Sequence, residues 1–321
     1  MSALDHDTLL VSSSPHVWSG ISTNHIMRDV QIALLPAALG AIYFFGLHAA
    51  VIILLSMAAA ALTEWCCTKV MGKPSTLADG SALVTGILLA FNLPPAAPFW
   101  LPVVGAAFAI AVAKMAFGGL GRNFVNPALA ARAFLLAAFP AAMTSFTQPF
   151  DAVTTATPLA VLSEAAGAGA LPTYWDLLIG RHGGSLGETS ALLLLIGAAY
   201  LLAKRIIDWR IPTGFLGALA LVTWVFGGQN GLFTGDPLFH VLAGGAILGA
   251  FFMATDYVTS PITPRGRWIY AVGGGLIAAL IRLYGGYPEG VSFAILLMNV
   301  AAPMIDRFTV PKPFGGVTKR A

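Results

Sequence analysis

Ten apolar runs, each bounded by polar or turn-forming residues, limit what this chain of 321 residues can become. About 20 apolar residues match the hydrocarbon thickness of a bilayer, and shorter runs cross part of it only where protein surrounds them. The runs lie at about 28–46, 49–67, 80–93, 98–117, 126–140, 189–203, 212–227, 238–255, 268–284 and 289–305, with 80–93 and 126–140 short for a full crossing. Composition agrees with a membrane solvent: 57% of residues are hydrophobic and only 10% are charged, against about 25% charged in a soluble domain. Mean hydropathy is +0.81. The chain reads as an all-α polytopic membrane protein of about ten transmembrane or half-membrane helices.

Basic residues set the expected orientation. With the N-terminus cytoplasmic, the loops on that side hold Lys69, Lys73, Arg122, Lys204, Arg205, Arg210, Arg265 and Arg267, and the tail adds Arg307, Lys312, Lys319 and Arg320. The opposite loops hold only Arg181, so the bias is twelve to one in the positive-inside sense. Both termini are expected inside a bacterial inner membrane, with the polar gap over 141–188 facing the periplasm. No cleavable signal peptide is expected, because Met1–Asn24 lacks an apolar core flanked by basic residues. The net charge of +3 is loop charge, and no nucleic-acid partner is expected.

Weak internal similarity divides the chain. Phe117-Gly118-Gly119 matches Tyr284-Gly285-Gly286, and Gly80–Gly86 resembles Gly244–Gly249. Five segments per half is an odd number, so the halves would be inverted, an arrangement that places broken helices and a site near the midplane. Asp79-Gly80-Ser81 and Thr255-Asp256 are the expected break points. The layout is then an arm over 1–24, a first membrane repeat over 25–140, an extracytoplasmic loop over 141–188, a second repeat over 189–306 and a tail over 307–321.

Ionisable residues inside apolar runs mark interior pairing or function. Lys114, Arg132 and Arg282 are the cases here. Each lies near a segment end or in a short segment, so snorkelling or pairing is expected, with a role in holding or charge-balancing a bound group as the alternative. Gly118–Asn123 has the look of a phosphate cradle but follows no strand, and reads as a tight turn before a helix opened by Asn126-Pro127. The six His residues show no i,i+4 pair. His16 and His240 are read as structural or interfacial. Cys66 and Cys67 alone cannot complete a tetrahedral zinc or iron–sulfur site; they read as inert small apolar residues, with a cluster shared with a partner as the alternative, and no metal site is expected in this chain.

The polar gap holds Asp151-Ala152-Val153-Thr154-Thr155-Ala156-Thr157-Pro158-Leu159. It resembles the flavinylation motif of respiratory flavoproteins, an Asp followed by Ser/Thr, Gly, Ala and an acceptor Thr or Ser. Thr157 would be the acceptor, taking FMN in phosphoester linkage from a separate flavin transferase. Thr155 stands where many such motifs hold Gly, which leaves Thr154 and Thr155 as alternative acceptors.

Taken together, several stretches resemble the NqrB/RnfD family of membrane subunits. They are Ser14-Pro15-His16, Asp79–Gly86, Phe117–Gly121 with Asn126-Pro127-Ala128, Ala156–Leu159, Phe252–Asp256 with Thr259-Ser260-Pro261, and Arg282–Gly290. The resemblance implies two inverted five-helix repeats similar to urea transporters, covalent FMN on Thr157 and a non-covalent riboflavin in the membrane domain. It further implies an electron relay between NADH and ferredoxin coupled to sodium or proton movement, with the other Rnf subunits (A, B, C, E and G) as partners and surrounding membrane lipid. Reducing a flavin in a low-dielectric site would favour uptake of a nearby cation. A non-redox scaffold subunit and a passive small-solute channel are the alternatives, since fold does not fix function.

Overall fold

Helices dominate the computed structural model, which describes residues 22–150, 153–163, 171–228, 231–285 and 289–311. Among the described residues, four helices are long and apolar enough to cross a bilayer: α1 (Thr23–Phe45), α2 (Leu47–Val70), α13 (Pro264–Tyr284) and α14 (Val291–Thr309). Between them run α3 (Ser81–Phe91), α4 (Trp100–Phe108), α5 (Pro127–Ala138), α6 (Pro140–Met143), α7 (Pro158–Ser163), α8 (Tyr174–Ile179), α9 (Ala191–Ala203), α10 (Arg210–Phe226), α11 (Pro237–Leu242) and α12 (Ala246–Leu248). The wider turns of a π-helix extend α4 over Ala109–Met115 and α12 over Gly249–Met253. All ten apolar runs are helical over most of their length.

Local chemistry places the breaks. Ser22 caps α1 by accepting the His25 N–H. Gly46, at φ +71°, lets α2 start at the next residue. At the expected break before α3, Gly80 has φ +74°, and Asp79 Oδ1 accepts from the N–H of Ser81 at 2.8 Å. The eleven residues of α3 span roughly 16 Å at 1.5 Å per residue, half of a hydrocarbon core. In the second half, the π segment ends at Met253, just before the expected break at Thr255-Asp256. A further break, not among those expected although it aligns with Gly80 in the matched stretch, falls at Ala243–Gly245, where Gly244 has φ +65°.

The two faces of the bundle follow from contacts. Asp29 near the start of α1 accepts from Tyr200 at 2.8 Å and pairs with Lys204 at the end of α9. Asp208 before α10 meets Arg267 of α13 at 2.5 Å, and Thr263 before α13 meets Thr309 at the end of α14. The first and last long helices therefore begin and end on one face, which also carries most of the loop arginines. The other face carries the start of α2, where His48 bonds the Ala97 carbonyl, and the loop in which the Phe150 N–H reaches the Phe44 carbonyl. Tyr174 of α8 bonds Asp236 before α11 there, at 2.6 Å.

The most extensive packing joins α10 to α13, α2 to α3, α13 to α14, α1 to α9 and α2 to α4. Small residues permit these approaches, as expected where lipid supplies no hydrophobic drive between helices. A Cβ on Gly86 would lie 2.8 Å from the Met57 Cα, and Ser56 donates across the same contact to the Gly86 carbonyl at 2.7 Å. A Cβ on Gly197 of α9 would meet the Ala33 carbonyl oxygen of α1, whereas one on Gly217 of α10 would meet nothing within 4 Å. Gly197→Ala should therefore lower the thermal midpoint of a fluorescently tagged chain in size-exclusion melts, at a cost of about 1–3 kcal/mol for overpacking. Gly217→Ala should leave it unchanged or slightly higher, and equal behaviour of the two variants would contradict the close α1–α9 contact.

Candidate functional site

Thr157 lies within the polar gap, on the face opposite the start of α1 and the end of α14. Its chain arrives through a short antiparallel pairing in which Thr147 bridges Thr154, the Gln148 N–H reaches the Val153 carbonyl and the Thr155 N–H reaches the Phe146 carbonyl. Thr157 then opens α7: its Oγ1 accepts from the Ala160 N–H at 3.2 Å, and its carbonyl accepts from Val161. Pro158 suits the first position of that helix because its missing N–H would have no partner there. A small apolar cluster of Leu159, Leu177, Phe239 and Ala243 fastens α7 to α8 and α11.

The three threonines differ in surroundings. Thr154 is exposed. The Thr155 hydroxyl is buried without a hydrogen-bond partner. Thr157 is buried, at 4% exposure, and lines a cavity of about 60 Å³ with Arg132, Met143, Phe146, Glu289 and Ser292. Asp151, the acidic head of the motif, lies outside the described residues.

Arg132 centres the buried polar group beside this cavity. It meets Glu188 at 3.2 Å, forms an ion pair with Glu289 and donates to Asn92 Oδ1 at 2.6 Å. Ser185 donates to the second oxygen of Glu188 at 2.9 Å. Asn92 ends α3 while its own amide nitrogen bonds the Leu88 carbonyl, so Arg132 on α5 grips the inner end of a half-length helix. Glu188 arrives on a segment that dips from the loop carrying Thr157 into the bundle, where Leu186 and Gly187 donate to the carbonyls of Leu93 and Phe91. Arg282 of α13 donates to the carbonyls of His240 and Ala243. These are carbonyls released where α11 breaks, and in an apolar surround each needs a donor.

A second buried pair lies toward the other face. Lys114, on the π segment after α4, meets Glu64 of α2 at 2.7 Å and Ser81 Oγ at 2.6 Å. Thr76 also donates to Glu64. Lys114, Asn123, Asn126 and Asp256 line a cavity of about 90 Å³, and Asn123 Oδ1 is buried without a partner. Asn126 caps α5 through the N–H groups of Ala128 and Leu129 and reaches the Met253 carbonyl at 3.3 Å.

Sequence reasoning singled out Lys114, Arg132 and Arg282. Pairing holds for all three and snorkelling for none, because the side chains of each are under a tenth exposed. The counter-charges of Lys114 (Glu64) and of Arg132 (Glu188 and Glu289) were missed, although each stands close to or inside an apolar run, which was the available signal. Gly118–Arg122 forms a tight turn, with Arg122 N–H on the Gly119 carbonyl, and no cluster of metal ligands occurs among the described residues. At the start of α8, hydrogen bonds from Thr173 hold the Asp176 carboxyl below the usual carboxylate range.

The sequence profile of the NQR2, RnfD, RnfE family matches residues 10–315. Among curated proteins, the chain is 54% identical to the D subunit of the Na(+)-translocating ferredoxin:NAD(+) oxidoreductase complex of Acetobacterium woodii, over 97% of this chain and 96% of the relative. It is 48% identical to the D subunit of the proton-translocating ferredoxin:NAD(+) oxidoreductase complex of Clostridium ljungdahlii, over 95% and 96%. It is 42% identical to the D subunit of the ion-translocating oxidoreductase complex of Stutzerimonas stutzeri, over 92% of each.

The buried Lys114–Glu64 pair yields a stability test. Lys114→Met strands Glu64 in an apolar site and should cost about 3–5 kcal/mol. Lys114→Met combined with Glu64→Gln should recover a large part of that loss in the same melting assay. A double variant no more stable than the single one would show that the two charges are not coupled.

Proposed function

The chain belongs to the NQR2, RnfD, RnfE family, and from that premise we propose that it is the membrane-embedded, flavin-carrying relay subunit of an ion-translocating ferredoxin:NAD oxidoreductase complex. The observation that carries this reading is its end-to-end similarity to the D subunits of such complexes, 54% over 97% of the chain in one case. Its partners would be the other Rnf subunits (A, B, C, E and G), with a flavin transferase for maturation. In this reading both termini are cytoplasmic in a bacterial inner membrane and the Thr157 loop is periplasmic, in line with the arginine-rich face. The two-fold inverted repeat and urea-transporter likeness are part of the same proposal. A passive channel accounts less well for the similarity to oxidoreductase subunits.

Thr157 is the proposed FMN acceptor. Its neutral hydroxyl is a weak nucleophile until a base takes the proton, and that base would come from the transferase. Burial of Thr157 requires the 153–157 segment to leave its seat for the reaction. A cavity of about 60 Å³ is well below the ~300 Å³ lower range of small-molecule sites. The site would therefore take only the phosphoester, with Arg132 on the same cavity wall, and the ring would have to remain outside it. Arg132 is already matched by Glu188 and Glu289, so a phosphodiester there would displace one of them. Bound flavin would supply one-electron redox chemistry, and the chain would set its position and potential. The inner cavity, with Lys114 and the unpartnered Asn123 acceptor, offers polar groups for a non-covalent riboflavin but would have to widen to hold its ring.

Co-expression with an active flavin transferase tests the attachment. In-gel flavin fluorescence is expected from the denatured wild-type band and absent from Thr157→Ala. Fluorescence retained in Thr157→Ala and lost in Thr154→Ala or Thr155→Ala would move the acceptor. A dark wild-type band would defeat the flavin-carrying reading.

A further inference from the structure

The arginine-rich face carries a bowl of about 530 Å³ between the α9–α10 turn and the start of α13, lined by Leu202, Arg205, Asp208, Arg210, Tyr257 and Arg267 among others. Asp208 is shared by Arg210 at 3.1 Å and Arg267 at 2.5 Å. Burial pushes its carboxyl up, but the Arg210 N–H and the two guanidinium groups outweigh this and hold it below the usual carboxylate range. One carboxylate against two guanidinium groups leaves one positive charge unmatched. Arg205 adds a second, because no described carboxylate pairs with it.

The backbone at Arg205 points the same way independently. Its N–H bonds the Leu202 carbonyl while the Ile206 N–H bonds the Leu201 carbonyl, the two bonds of a Schellman helix ending. The left-handed position of that motif usually holds Gly, and Arg205 occupies it at φ +56°. A non-glycine residue kept there at a conformational cost points to its side chain. The rim is aromatic: Trp209 is 54% exposed and Tyr257 is 49% exposed, while the Tyr257 hydroxyl bonds the Ile206 carbonyl. Exposed Trp and Tyr beside cations, above an apolar wall at Leu202, match the level at which lipid headgroups meet a membrane protein.

We infer that this bowl binds the phosphodiester headgroup of an anionic phospholipid, with Arg205, Arg210 and Arg267 as its ligands. The acyl chains would descend along the apolar wall. Such binding needs only a membrane location and does not depend on a flavin at Thr157.

The test uses the full chain, tagged at its C-terminus with a fluorescent protein and purified in non-ionic detergent with the subunits that accompany it. Its thermal midpoint is followed by size exclusion while phosphatidylglycerol is titrated. Phosphatidylglycerol is expected to raise the midpoint of wild type and of Arg265→Gln, a charge-matched control outside the bowl. Arg205→Gly should need about fivefold more lipid for the same shift, the worth of one arginine near an anionic headgroup, although its lipid-free midpoint equals or exceeds wild type through relief of the backbone. Arg205→Gln should lose the response to the same degree. A wild-type response in both Arg205 variants, or an equal loss in Arg265→Gln, would overturn the site. So would equal stabilisation by phosphatidylcholine or by inorganic phosphate alone. Capture of a companion subunit by a photo-crosslinker at position 202 would replace the lipid with a protein contact.

Discussion

A charge carried into an apolar bundle keeps its place only with a counter-charge or a row of dipoles beside it. In this protein that requirement is met at Lys114 by Glu64, at Arg132 by Glu188 and Glu289, and at Arg282 by two backbone carbonyls. Each pairing joins elements far apart in sequence: α2 to the end of α4, α5 to the inward-dipping segment before α9, and α13 to the break at the end of α11. Removing one partner would leave the other exposed to a medium that cannot solvate it. The charges therefore act as ties between helices as much as polar groups in a site.

The broken helices make those ties possible. Helices such as α3 and α5 stop inside the bundle, where their last or first backbone groups have no water. Asn92 and Asn126 supply the side-chain hydrogen bonds at these ends, and Arg132 bonds Asn92 in turn. Apolar packing surrounds this polar interior, and small residues such as Gly86 and Gly197 bring the helices close enough for it to be enclosed. The polar middle and the close helix contacts are thus two consequences of one arrangement.

The candidate acceptor sits at the edge of this interior, not in an open cleft. Thr157 begins α7, which is seated on α8 and α11, and it shares a cavity wall with Arg132. A group attached there would be anchored beside the best-tied part of the bundle while projecting from its surface. At the opposite face the cations are arranged differently. There Asp208 is outnumbered by arginines, and the surplus faces outward.

The ten apolar runs, their limits to within a few residues and the break at Asp79–Ser81 were legible in the sequence, because helix length, apolar content and glycine placement are local properties. The importance of Lys114, Arg132 and Arg282 was legible for the same reason: a cation inside an apolar run is conspicuous by itself. Their partners were not. Glu64 and Lys114 are 50 residues apart, and Arg132 and Glu289 are 157 apart, separations that no periodicity encodes. The break at Gly244 went unread although Gly244 aligns with Gly80, because glycine is common in helices that cross membranes and the positive φ is visible only in the structure. The motif around Thr157 named a candidate hydroxyl. Which threonine is buried, which is exposed and which shares a wall with an arginine depends on how the loop docks on distant helices, and tertiary packing alone decides that.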